Sequence, residues 1–273
     1  MLKKIAIPLF FVLAVLISWI PWYTGGSGFL PIGVSVAGLI IIIFTEGKDG
    51  LKDTARRILR WRVSLRWYGA ALFLMAGISL VSLGIHWLAG GKLPGFGFLF
   101  EDTRYIPQFL LFVIFHPMAG PIGEETVGWR GYALPRLQEK VGPIFATLII
   151  GAIYGAWHLP EFFNPGSSQY AIGFAFFIPF ILKLITSSFF MTWVFNKSGG
   201  STLVGGILFH AANNFWLAVL TSGFRWGAPH PPFDSRLYWI LTIVSVAAAG
   251  VLLAVTKGKL GYVSEEVKSK IQI

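Results

Sequence analysis

Long apolar runs broken by short charged segments make up most of the chain, and a run of about 20 apolar residues is enough to cross a bilayer as a helix. The runs predict spans over residues 5–23, 29–45, 67–88, 105–123, 143–158, 171–195, 202–220 and 237–255. The fold class expected is therefore all-α, a polytopic membrane bundle of about eight transmembrane helices. The first run follows Lys3 and Lys4 as a signal peptide would. No small-residue cleavage site comes after it, and Trp19, Trp22 and Tyr23 suit an interface, so a retained span is expected.

Composition supports lipid as the solvent. Of 273 residues, 55% are hydrophobic and only 12% charged, where a soluble domain would carry about 25% charged residues. The chain has no cysteine, which excludes disulfides and thiolate metal sites. No internal repeat, linker or low-complexity stretch is visible, and one domain over 1–273 is expected.

The net charge of +10 changes the picture only through its distribution. With the N-terminus in the cytoplasm, the inner segments hold 17 Lys and Arg, the outer loops hold Lys92, Arg104, Arg225 and Arg236, and Lys183 lies inside a span. This asymmetry predicts both termini inside a multi-pass protein of the cell membrane. The stretch LKDTARRILRWRVSLRW also suits anionic lipid headgroups. No nucleic-acid partner is expected.

Ionisable groups at membrane depth are costly and point to function by default. In GGILFHAANNFWLAV, His210 and Asn214 are four apart and share a helix face with Asn213 beside them, and Gly205 and Gly206 allow another helix to approach. The plainer reading is a helix–helix hydrogen bond. In IIGAIYGAWHLPEFF, Tyr154 and His158 repeat the spacing. There the plainer reading is an interface histidine, with Glu161 as a possible partner. In GPIGEETVGWRGY, one of Glu124 and Glu125 could simply cap a helix N-terminus. Two adjacent carboxylates at one depth repel, however, and a desolvated carboxyl group can serve as a general base near neutral pH. Arg130 is near enough to hold the other one ionised. Together these residues offer a carboxylate to deprotonate water, and His and Asn donors for an oxyanion. No GxSxG motif is present, so hydrolysis of a peptide bond by Glu-activated water is the chemistry suggested.

GPIGEETVGWRGYALPRLQ, YGAWHLP and FHAANN, in that order across residues 120–216, resemble the CAAX prenyl protease and bacteriocin-processing (CPBP) family of intramembrane glutamate proteases. That family carries EExxxR, FxxxH and HxxxN on successive spans of an eight-helix bundle. Here Tyr154 replaces the Phe of the second motif, and His210 to Asn214 match the third. The resemblance implies that a motif-one glutamate, with His158, activates water, that His210 and Asn214 hold the oxyanion, and that Arg130 orients the acidic pair. It implies no cofactor and no metal. The implied partners are the bilayer and a peptide or protein substrate reached from the membrane, with the oligomeric state left open.

The first motif departs from the family pattern, because four residues, not three, separate Glu125 from Arg130. Counted back from Arg130, Glu125 takes the first Glu position. Counted from the pair, Glu124 takes it and the extra residue is absorbed, for example by a π-bulge. One residue rotates a helix by about 100°, so the two registers aim different carboxylates at the site. We read Glu124 as the base. The predicted spans also set Glu124 near the inner end of one helix and His158 near the outer end of the next. In a plain hairpin the two would be well over about 10 Å apart, unless the chain re-enters at GPIG or the helices are staggered.

Two other readings compete. A zinc hydrolase would use Glu, His and His, although HExxH is missing. A non-catalytic membrane protein, either a transporter or a peptide-binding immunity factor, would use the same polar groups as an ion path. Lys183 has no assigned role, His116 lies eight residues before Glu124, and His86 and His230 carry no particular signal.

Overall fold

The computed structural model describes residues 2–94, 107, 120–221 and 233–264. All regular structure among them is helical. This is what lipid demands, because a spanning segment must satisfy its backbone hydrogen bonds internally. Among the described residues, five helices are long and apolar enough to cross a membrane: Leu65–Leu88, Pro121–Phe163, Phe174–Lys197, Leu203–Leu220 and Ser235–Val255. The chain is thus a multi-pass helical protein.

Two further expected spans are helical but shorter. Leu2–Ser18 (α1) has 17 residues and Ile32–Thr45 (α2) has 14. They pack side by side, and the amide of Leu30 donates to the Ser18 carbonyl at 2.8 Å across the turn between them. The amphipathic helix Gly47–Ile58 (α3) follows, with only Gly50 and Thr54 buried, and it covers part of the stretch read as lipid-facing. The helix Leu65–Leu88 (α4) matches its predicted span. Most of the expected span 105–123 lies outside the described residues, as do His116 and His230.

The segment Pro121–Phe163 carries the fold's main departure from a simple hairpin count. It starts with the short helix Pro121–Glu125 (α5), passes through a π-helical turn at Trp129–Ala133, and continues as Leu134–Trp157 (α6). At Gly142 the backbone leaves helical geometry (φ 76°, ψ 169°). That region is open to glycine at little cost, and Pro143 then starts the return limb with its φ already set. The break at Gly142, rather than the acidic stretch, is therefore the turning point.

This removes the depth conflict. Glu124 stands 18 residues before Gly142 and His158 stands 16 after it, equivalent to about 27 and 24 Å of helix from the turn. The two limbs meet accordingly: the Trp129 ring lies 5.7 Å from Tyr154 and 6.0 Å from Trp157. Glu124 is not at the end of its limb, which closes at Gly142 just after Arg136 and Lys140.

Helix Phe177–Lys197 (α7) packs against the return limb and against Ser235–Val255 (α9), and Phe209–Thr221 (α8) packs against α4. Two buried apolar clusters result. One includes Phe10, Val34, Trp129, Tyr132 and Trp157, and the other Phe189, Phe190, Val194, Phe209 and Leu241. Arg130 sits in sequence between Trp129 and Tyr132 of the first cluster, and His210 follows Phe209 of the second. The polar residues thus lie along the seam where the two clusters meet.

Candidate active site

The acidic pair sits on α5, whose first position is Pro121 and whose Glu124 amide donates to the Gly120 carbonyl at 3.0 Å. After Thr126 the chain leaves helical geometry at Gly128 (φ −96°, ψ −113°) and rewinds as the wider π-turn. The four residues between Glu125 and Arg130 span this break. The guanidinium folds back so that Nη1 donates to Glu125 Oε1 at 3.1 Å and to Oε2 at 3.4 Å. Nη2 donates to Ser188 Oγ at 3.0 Å. Glu125 and Arg130 are both fully buried, and a buried charge of this kind is tolerable only when paired and hydrogen-bonded.

His210 enters from the opposite side. A second π-turn, Leu203–Leu208, leads into α8 and carries Gly206. A β-carbon built on Gly206 would lie 3.2 Å from Glu125 Cβ and 3.4 Å from Arg130 Cβ, so its small size lets this helix close over the ion pair. His210 Nδ1 then lies 3.3 Å from Glu125 Oε1 and 4.0 Å from Glu124 Oε2. Its Nε2 is 3.0 Å from the Tyr154 hydroxyl. Glu124 is 4% exposed, and its Oε2 has no hydrogen-bond partner within the protein. The two glutamates are therefore in different situations: Glu125 is held by Arg130, and Glu124 keeps an uncommitted oxygen.

His158 joins this group only indirectly. Its Nδ1 bonds the Tyr154 carbonyl at 2.8 Å, and its ring is edge-on to Phe29, Tyr154, Trp157 and Phe180. If Nδ1 is the protonated nitrogen, as that carbonyl requires, Nε2 is a free acceptor. Neither glutamate is an ion-pair or hydrogen-bond partner of His158. Asn213 is buried and donates to the Asn214 side-chain oxygen at 3.2 Å, and its own Oδ1 has no partner. Asn214 is half-buried one turn beyond His210 and makes no direct bond to the glutamates. The arrangement thus brings Glu124, Glu125, Arg130, Tyr154 and His210 into one network, with His158 and the two asparagines at its margin.

Several side chains take roles that sequence did not assign them. Ser188 holds the second arm of Arg130, and Tyr154 bridges to His210 through its hydroxyl. The run Thr186–Ser187–Ser188, three hydroxyls inside an apolar span, was the available signal. Glu161 accepts from Asn164 at 3.1 Å and is not paired with His158. Lys183 Nζ lies over the Phe180 and Tyr238 rings at 5.9 and 5.0 Å. His86 is buried, with Nε2 3.5 Å from Asp234 Oδ2. Among the described residues, no group of three or more His, Asp or Glu is arranged to hold a metal ion.

Against this geometry, two comparisons with known proteins agree. A family profile described as Type II CAAX prenyl endopeptidase Rce1-like matches residues 106–216, a segment containing every candidate residue from Glu124 to Asn214. The chain is also 24% identical over 227 residues to CAAX prenyl protease 2 of Methanococcus maripaludis, covering 74% of this chain and 80% of that protein. The likeness to CAAX-type membrane proteases, first read from three short motifs, is borne out.

Proposed function

We propose that this protein is an intramembrane endopeptidase in which Glu124 activates water. The observation that carries this reading is the asymmetry of the acidic pair. Glu125 is tied to Arg130 at 3.1 Å, while Glu124 beside it retains a buried oxygen with no protein partner. A water bound there would lose a proton to Glu124 as its oxygen attacks a peptide carbonyl. His158, with Nδ1 engaged by the Tyr154 carbonyl, accepts a hydrogen bond from the same water through Nε2. Arg130 holds Glu125 in place through its two hydrogen bonds, and Glu125 in turn lies 3.3 Å from His210.

As the carbonyl carbon becomes tetrahedral, its oxygen takes on negative charge that needs donors in a site closed to bulk water. His210 and Asn214, one turn apart on α8, supply them, with the Tyr154–His210 bond yielding as substrate enters. Glu124 then returns its proton to the leaving nitrogen, the C–N bond breaks, and the water's second proton passes from the new carboxylic acid to the amine, so the products are a carboxylate and an ammonium group. The cycle leaves Glu124 as it began and needs no further reactant.

For the substrate we adopt the class in the relative's name, a peptide tail ending in a prenylated CAAX sequence. The test is cleavage of an S-farnesylated CAAX peptide by the full-length protein reconstituted in liposomes. Release of a C-terminal fragment by wild type, lost in Glu124→Gln, is the expected result. A folded wild-type protein that cleaves neither this peptide nor its unprenylated copy would overturn the proposal.

A further inference from the structure

A second site lies away from the glutamates. It is a cavity of about 160 Å³ lined by Lys3, Ala6, Ile7, Thr45, Glu46, Tyr132, Arg136 and Lys140. Its charged lining is three cations and one acid. Glu46 spends its carboxylate on Arg136, whose Nε donates to Oε1 at 2.6 Å and whose Nη2 pairs with Oε2. The Arg136 guanidinium is further fixed by the Tyr132 carbonyl at 2.9 Å and by lying 4.3 Å above the Tyr132 ring. Lys3 and Lys140 have no such partner among the described residues. The Tyr132 hydroxyl is also unsatisfied, although the residue is 0% exposed. An orphaned buried hydroxyl beside two free ammonium groups is a donor set waiting for an acceptor.

The cavity's place in the fold says which acceptor. Lys3 opens α1, Glu46 ends α2, and Lys140 stands two residues before the turn at Gly142. All three lie where apolar helices stop, which is where a bilayer surface is expected, and the basic helix α3 begins next to Glu46. We infer that this cavity binds the phosphate headgroup of an anionic phospholipid, with Lys3, Lys140 and the Tyr132 hydroxyl as donors and the acyl chains lying along α1 and α2. Glu46 opposes an anion, but its charge is already spent on Arg136, and two ammonium groups remain in excess. Tyr132 belongs to the same π-turn as Arg130, so the site braces the turn that holds the ion pair.

The experiment measures lipid retention by native mass spectrometry on the full-length protein, with phosphatidylglycerol and phosphatidylcholine as the lipids and glycerol phosphate as a soluble probe. A lysine near an anionic surface is worth roughly fivefold in affinity, so Lys3→Gln with Lys140→Gln should weaken phosphatidylglycerol binding roughly thirtyfold. Tyr132→Phe should weaken it further, while Lys92→Gln, beyond the far end of α4, should leave it unchanged. Equal retention of both lipids by wild type would overturn the inference, as would phosphatidylglycerol binding that survives the double lysine variant. Equally tight binding of glycerol phosphate would do the same, because the site would then be one for soluble phosphate.

Discussion

Arg130 donates to Glu125 at 3.1 Å across a five-residue separation that a regular α-helix would turn about 140° out of register. The contact exists because the chain breaks at Gly128 and rewinds as a π-turn. π-turns of this kind concentrate at functional sites. Here the turn determines which glutamate is bound and which is left open.

The pair should behave as one structural unit. Glu125→Gln leaves a buried guanidinium without its counter-charge, and breaking such a pair costs about 3–5 kcal/mol. Thermal unfolding in detergent should fall markedly for Glu125→Gln. Ser188→Ala, which removes one bond to the same guanidinium, should cost about 1–3 kcal/mol. Unchanged unfolding in both variants would mean that the ion pair is not formed.

Tyr154 stands where the related motif has Phe, and its hydroxyl bonds His210 Nε2 at 3.0 Å. Tyr154→Phe removes that bond but keeps the ring against His158 and Trp129. A neutral hydrogen bond is worth about 1 kcal/mol, so turnover should drop less than about tenfold. A loss of several orders of magnitude would make Tyr154 part of the chemistry itself.

Gly206 closes the site from the α8 side. Gly206→Val places methyl groups against Glu125 and Arg130, and overpacking of this kind costs about 1–3 kcal/mol. Activity should fall at least about tenfold through displacement of the ion pair, while Gly206→Ala, with one tight contact, should lose less. Full activity in Gly206→Val would show that the helices do not close on the glutamates.

The metal question has a direct assay. Activity in liposomes should survive a zinc chelator, because the proposed base is a carboxylate acting on free water. Inactivation by chelator that zinc then restores would replace the water-activating Glu124 with a metal hydrolase.

Much of the site could be read from sequence because lipid makes polar residues conspicuous: Glu124, Glu125, Arg130, His158 and His210 stand out in apolar runs. Their partners could not be read so easily. Ser188 and the Tyr154 hydroxyl look like ordinary packing groups in a span. The depth of Glu124 was also misjudged from hydropathy. The stretch from Glu124 to Lys140 carries enough charge to look like a loop, yet it is helical because Arg130, Arg136 and Gln138 find partners inside the protein. The turning point was visible all along as Gly142-Pro143, since only a residue tolerant of φ 76° reverses the chain there.

The central claim is that Glu124, not Glu125, activates water, and the most direct measurement is turnover of Glu124→Gln alongside its thermal unfolding. The account predicts a loss of about 10²–10⁴-fold in kcat with unfolding close to wild type, in contrast to the destabilised Glu125→Gln. Wild-type turnover by a folded Glu124→Gln protein would contradict it.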